Sequence, residues 1–283
     1  MRFAPLLALF TLLPALAASP EPAPAPTGKL ELIEKFASPQ LGNTRTLRLY
    51  LPPGYATNPE RRYPVLYMHD GQNLYDPKLS YSGVPWGVDK TIDTLIHKGE
   101  MQPVIVVGID NTPERMAEYS PDADPQHKGG KGDAYADFVI KTIKPYIDSH
   151  YRTLPDKANT VVMGSSMGGL VSFHIAMRYP DVVGSAASLS GSFWWNGGAM
   201  IKAVQARKTR WPVRLYLDAG TGNDGLLDSA RMLSALVRAG YELGDDLHYV
   251  AVPGADHHER AWAARLAEPL SWLFPPPTRP ARP

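Results

Sequence analysis

The sequence predicts an α/β protein, with a mostly parallel central sheet and helices on both of its faces. Three observations carry that prediction. Short apolar runs rich in β-branched residues recur along the chain, as strands buried on both faces require. Segments with helical periodicity fall between these runs, so the strands are joined by crossovers rather than hairpins. One of the joints, "TVVMGSSMGGLVSFHIAMRY", passes from strand to helix around a single serine, Ser166, with Gly164, Gly168 and Gly169 crowding it.

The 283 residues are 44% hydrophobic, enough for one large α/β core and small for two full domains. A formal charge of +1 supplies no basic footprint for nucleic acid, and no repeat or heptad run is present. Residues 1–18 read as an export signal. Arg2 precedes an apolar run from Phe3 to Leu16, interrupted by Pro5 and Pro14, and Ala15-Leu16-Ala17 offers small residues for cleavage after Ala17 or Ala18. The run falls short of the ~20 residues that span a bilayer. An exported protein, periplasmic or secreted, with no stable membrane span after cleavage, is therefore expected. Residues 19–28 form a Pro-rich spacer, 29–274 one folded catalytic domain, and 275–283 a Pro-rich tail. With no cysteine in the chain, no disulfide or lipidated cysteine contributes. Oligomeric state has no sequence signature here.

Within the domain, "RTLRLYLP" alternates like a half-exposed strand, whereas "YPVLYMHD", "PVIVVGID", "TVVMG", "SAASLS", "VRLYLDAG" and "LHYVAVPG" read as strands buried on both faces. Helices are expected over "WGVDKTIDTLIHKG", over "DAYADFVIKTIKPYIDSHY" with Phe138, Val139, Ile143, Tyr146 and Ile147 on one stripe, over "SARMLSALVRAG" ended by Gly240, and over "HERAWAARLAEPLSWLF". In such sheets chemistry collects at the carboxyl ends of the strands.

The strand–turn–helix setting gives Gly-x-Ser-x-Gly its meaning. A tight turn holds the hydroxyl of Ser166 in a cleft, glycines avoid Cβ clashes, and the following helix aims its N-terminal N–H groups and dipole at the site. The N–H of Met167 is then placed to stabilise an oxyanion. A serine needs a base. His69, His97, His127 and His150 precede the motif, His174 lies in the helix after it, and His248 lies in a strand. "GADHHERAW" follows the last strand, so His257 and His258 both qualify, and spacing does not choose between them. For the acid, "LDAGTGNDGLLD" offers Asp218 at the strand edge, Asp224 in the loop and Asp228 in the next helix; the loop position favours Asp224. A second oxyanion donor is expected from "DGQNLYD", where Gly71 lets backbone approach and the N–H of Gln72 is in reach.

The ordered set "HDGQNLYD", "WGVDKTID", "VVGIDN" with "ERMAEYSP", "GSSMGGLVSFHIAMRYPDVVG", "LSGSFWWN", "LDAGTGND" and "GADHHERAW", spanning about residue 45 to 273, resembles the putative-esterase family of α/β-hydrolases. That family groups enterochelin esterases, esterase D, and acetyl-xylan and feruloyl esterases. The resemblance implies the α/β-hydrolase fold and a serine esterase, with Ser166 as nucleophile, Asp224 as acid and His257 as base, since the family places a tryptophan five positions later, here Trp262. It also implies Gln72 and Met167 at the oxyanion positions. Several relatives carry His-Gly where this chain has Asp70-Gly71; enterochelin-type members tend to have aspartate there.

The expected partner is a small-molecule or sugar-linked ester, including a siderophore ester, hydrolysed through an acyl-enzyme. Trp86, Trp194 and Trp195 are candidates to line an acyl or aryl pocket. Arg115, Lys128 and Lys131 are candidates to attract an anion, though a solvated surface accounts for them as well. No cofactor and no metal is expected, since "DHHE" lacks the i, i+4 histidine spacing of a zinc helix. An acyltransferase with the same triad and a non-catalytic binding protein on the same fold are the alternatives.

Overall fold

The computed structural model describes residues 26–277; the expected export signal, most of the spacer and the end of the tail lie outside the described residues. Ten strands are present among the described residues: β1 (Lys29–Ser38), β2 (Asn43–Leu51), β3 (Val65–His69), β4 (Ile105–Ile109), β5 (Ala123–Asp124), β6 (Lys128–Gly129), β7 (Thr160–Ser165), β8 (Ser185–Leu189), β9 (Arg214–Gly220) and β10 (Leu247–Val252). Eight form one sheet in the order β1-β2-β4-β3-β7-β8-β9-β10, and β5 and β6 pair separately. From β4 to β10 every neighbouring pair is parallel, whereas β2 runs antiparallel to both β1 and β4.

The strands expected from apolar runs are present. β1 was not anticipated from "KLELIEKFAS", because its charged residues leave it largely exposed as an edge strand. Side-chain alternation divides the core. On β3, Val65 and Tyr67 join the cluster that holds Phe138, Phe173 and Trp195, while Leu66 and Met68 join the one that holds Trp86, Ile92 and Trp262.

Helices cover both faces: α1 (Val88–Lys98), α2 (Arg115–Glu118), α3 (Gly132–Phe138), α4 (Lys144–His150), α5 (Met167–Arg178), α6 (Trp195–Gln205), α7 (Leu226–Arg238), α8 (Glu259–Arg265) and α9 (Ala267–Leu273). Two expected helices are interrupted, each near a proline. A π-helical turn, Val139–Ile143, joins α3 to α4 just ahead of Pro145. The α8–α9 break at Leu266 frees the carbonyl of Arg265, which the ring of Pro269 would otherwise strike. α6 was not anticipated because "WWNGG" reads as a loop; Asn196, Gly197 and Gly198 are left-handed within its first turn. Among the described residues no helix is long and apolar enough to cross a membrane.

Candidate active site

The tight turn around Ser166 follows from how close α5 lies to the sheet. β7 ends at Ser165, α5 starts at Met167, and Ser166 alone makes the turn at φ 56, ψ −123, a conformation unfavourable for a residue with a side chain. A Cβ on Gly164 would lie 2.7 Å from the backbone of Gly168, and one on Gly169 would lie 2.4 Å from Ser188 Oγ. Glycine at these places therefore lets the helix dock, and docking holds the serine in its strained turn.

His257, between β10 and α8, faces Ser166 with Nε2 3.0 Å from Oγ, and its Nδ1 lies 2.7 Å from Asp224 Oδ1. Its neighbour has a different partner: His258, which lines the same cavity as Ser166, caps α8, with Nδ1 accepting the Arg260 N–H at 3.2 Å. Of the three aspartates considered, Asp224 meets the imidazole. Asp218 is buried in β9 against Arg265, and Asp228 pairs with Arg231 on α7. Gly225, not Asp224, is the N-cap of α7. Burial alone would raise the Asp224 carboxyl. Hydrogen bonds from His257, Ser190 and the Gly220 N–H, with the charge of Arg265, outweigh burial and hold the carboxyl below its ordinary range. Ser192 Oγ lies 3.2 Å from the hydroxyl of Ser166.

Met167 is the first residue of α5, so its N–H is one of those a helix leaves without an internal partner. Gln72 lies in a single 3-10 turn, Gly71–Asn73, after β3. The side chain of Gln72 exchanges hydrogen bonds with Asn111, which it reaches at 2.9 Å and from whose N–H it accepts at 3.0 Å. Asn111 Nδ2 donates to Asp70 Oδ1 at 2.6 Å, and Arg115 grips the same carboxylate through Nε and Nη2 at 2.7 and 2.8 Å. Asp70, itself left-handed at φ 57, is thereby tied to the loop after β4. Burial works against its charge, but Arg115 and Asn111 prevail and its pKa is lowered.

Ser166 and His257 open onto a cavity of about 450 Å³ whose wall also includes Asp70, Asn73, Tyr81 and Arg115. The three tryptophans named as candidates for an acyl pocket are not among the residues lining this cavity. Trp86 is buried against Trp262, Trp195 is buried with Nε1 donating to the Asp122 carbonyl at 2.8 Å, and Trp194 is 43% exposed beside His127. Of the basic candidates only Arg115 reaches the cavity; Lys131 pairs with Glu114, and Lys128 lies in β6 away from it. Sequence reasoning singled out neither Asn111 nor Ser190, although each lies in a family segment ("VVGIDN" and "LSGSFWWN"), and Arg265 lies in none.

The sheet order, the crossovers and the strand–turn–helix joint define an α/β-hydrolase. The chain matches the family model described as "Putative esterase" over residues 38–273 and belongs to that family, so it is a carboxylic ester hydrolase. It is 25% identical over 248 residues to the uncharacterized protein YbbA of Bacillus subtilis, covering 82% of this chain and 93% of that one. To the iron(III) enterobactin esterase of Dickeya dadantii it is 24% identical over 270 residues, covering 89% of this chain but 56% of that enzyme. The chain thus spans little more than half the length of that relative. A ferulic acid esterase structure shares the fold at TM-score 0.70 and 20% identity, covering 88% of this chain and 98% of that one.

Proposed function

We propose that the protein is an exported serine esterase in which Ser166 is the nucleophile, His257 the general base and Asp224 the acid. One observation carries this reading: a continuous chain of contacts, 3.0 Å from serine to imidazole and 2.7 Å from imidazole to carboxylate, linking residues remote in sequence. Ser166 Oγ attacks the ester carbonyl carbon while its proton passes to His257 Nε2. Asp224 holds Nδ1–H and stabilises the imidazolium. The N–H groups of Met167 and Gln72 receive the tetrahedral oxyanion. The alcohol leaves with the proton from His257, and water then attacks the acyl-enzyme with His257 again as base, releasing the acid. The side chain of His257 is 40% exposed, which gives that water access and supports hydrolysis over acyl transfer.

The names of the relatives point to siderophore and ferulate esters, and the N-terminal sequence to a substrate met outside the cytoplasm. We assign the natural substrate to an iron-siderophore, sugar-linked or small-molecule ester. The test is a panel of enterobactin-type, feruloyl, acetyl-sugar and p-nitrophenyl esters, with labelling by a serine-reactive phosphonate. Labelling and turnover both lost in Ser166→Ala are expected; undiminished turnover in that variant overturns the assignment, and failure to turn over any ester favours a binding role.

A further inference from the structure

The acid side of the site holds more charge than the proposed triad needs. Asp218 and Asp224 both have side chains with no exposed surface, and a single guanidinium, Arg265, lies between them. Its Nη2 alone makes all its contacts, at 3.0 Å to Asp218 Oδ1, 3.1 Å to Asp224 Oδ2 and 2.6 Å to Ser190 Oγ. Nε and Nη1 are buried with no hydrogen-bond partner among the described residues. A guanidinium placed to grip one carboxylate uses its planar fork in two parallel bonds. Arg265 instead brings one nitrogen to the point where two carboxylates converge.

Its neighbours on the same helix serve the same place. Trp262, three residues earlier on α8, donates Nε1 to Ser190 Oγ at 2.8 Å and stands edge to face with the His257 ring at 5.0 Å and 85°. Ser190 Oγ donates in turn to Asp224 Oδ2 at 2.6 Å, the oxygen that also accepts the Gly220 N–H at 2.6 Å. One oxygen of Asp224 is thus held by three donors while the other is left for His257.

We propose that Arg265 is a positioning residue, a counter-charge shared by Asp218 and Asp224 that keeps Asp224 ionised and aimed at His257. This rests on the triad proposed above. With Arg265 present the buried cluster carries one net negative charge, directed at the imidazole. Without it, two like charges face each other in a site closed to water, and the cluster takes up a proton. Where that proton sits on Asp224, the active form returns only once the cluster loses it; where Asp224 stays ionised but uncompensated, it holds the imidazolium proton more tightly. Both outcomes move the acid limb of kcat/KM to higher pH.

The other groups facing the cluster are few. The Tyr216 hydroxyl donates to Asp218 Oδ2 at 3.2 Å, the Ser190 N–H lies 3.3 Å from Asp218 Oδ1, Tyr249 lies on the adjacent strand, and the His248–Glu268 pair lies beyond Tyr216. Burial pushes Asp218 up to about 6, against the lowering by Arg265, Tyr216 and the Ser190 N–H.

The experiment is the pH dependence of kcat and KM for a p-nitrophenyl ester, measured on the wild type, Arg265→Met, Arg265→Lys and the double variant Arg265→Met/Asp218→Asn. In Arg265→Met the acid limb is expected to move up by about one pH unit, so kcat falls about tenfold or more near pH 6 and much less near pH 9, with KM little changed. Arg265→Lys keeps the limb in place. The double variant, which removes one charge of each sign, returns it to the wild-type position. A loss equal at every pH, or no return of the limb in the double variant, overturns the proposal and leaves Arg265 a packing residue. If Arg265→Met does not fold, the other two variants decide: a displaced limb in either overturns the proposal. Ser166→Ala separates the two readings. If it still turns over, the triad falls and this role with it; if it is inactive while no Arg265 variant moves the limb, this role alone falls.

Discussion

Arg115 and Arg265 lie to either side of β7 in the sheet order, and each meets buried carboxylate, yet the two arrangements differ in charge. Arg115 offers Asp70 a two-pronged grip, one cation to one anion, and Asn111 completes it. Arg265 offers one nitrogen to two anions. The first is a neutral brace that ties the loop after β3, where an oxyanion donor is proposed, to the loop after β4. The second leaves a negative charge, and His257 is the group placed to use it. A buried ion pair is expensive to desolvate and weak evidence for stability. A charge deficit beside an imidazole that the proposed mechanism asks to take up a proton has a chemical use that a balanced pair lacks.

The largest effects test whether that deficit serves a triad at all. Ser166→Ala and His257→Ala should each reduce kcat by ~10⁴-fold or more, since members of such a unit fail together. His258→Ala should cost less than about tenfold, because that ring caps α8; steady-state kinetics on a p-nitrophenyl ester decides, and a reversed ranking of the two histidines breaks the assignment. Next, Asp224→Asn should lower kcat by ~10³-fold, well beyond the loss in Asp218→Asn, because only Asp224 touches the imidazole. Equal losses would mean that the two carboxylates act as one group.

The neutral brace predicts a different signature. Arg115→Met leaves Asp70 unpaired at the cavity wall and should reduce kcat/KM by roughly ten- to a hundredfold. Neither residue touches His257, so the acid limb should stay where it is. A shifted limb there would erase the distinction between the two arginines.

The smallest effect concerns stability. Asp218 has its folded pKa raised by burial to about 6 from 3.8, so the native state binds its proton before the unfolded chain does. Its ionisation therefore penalises folding above that pH, and the penalty disappears as pH falls towards 4. Relative to the wild type, Asp218→Asn should gain stability on the order of 2–3 kcal/mol as pH rises from about 4 to about 7. Urea unfolding at the two pH values measures it, and a difference that does not change with pH contradicts the charge deficit.

Legibility from sequence followed distance along the chain. The Ser166 turn is written in consecutive residues, since the strand, glycines and helix that produce it are all local. His257 and His258 are adjacent, so position in the chain treats them alike; the backbone entering α8 turns one inward and makes the other a cap. Ser190 lies in a family segment, but its partnership with Arg265 has no signature because it joins residues 75 positions apart. The positions of the tryptophans were not legible for a related reason. An indole announces apolar area but not which layer will cover it, and Trp86 and Trp195 were covered by opposite clusters of the core.

The amino-acid order alone determined the alternation of strands and helices, the family pattern and the strained serine turn, because each depends on periodicity or on contacts within a few residues. The family pattern already named His257 and Asp224; the tertiary structure decided how closely these side chains meet Ser166 and each other, and that one arginine stands between two carboxylates. Those outcomes depend on how far apart side chains lie across sheet and helix, and electrostatic energy in a water-excluded site is set by that separation.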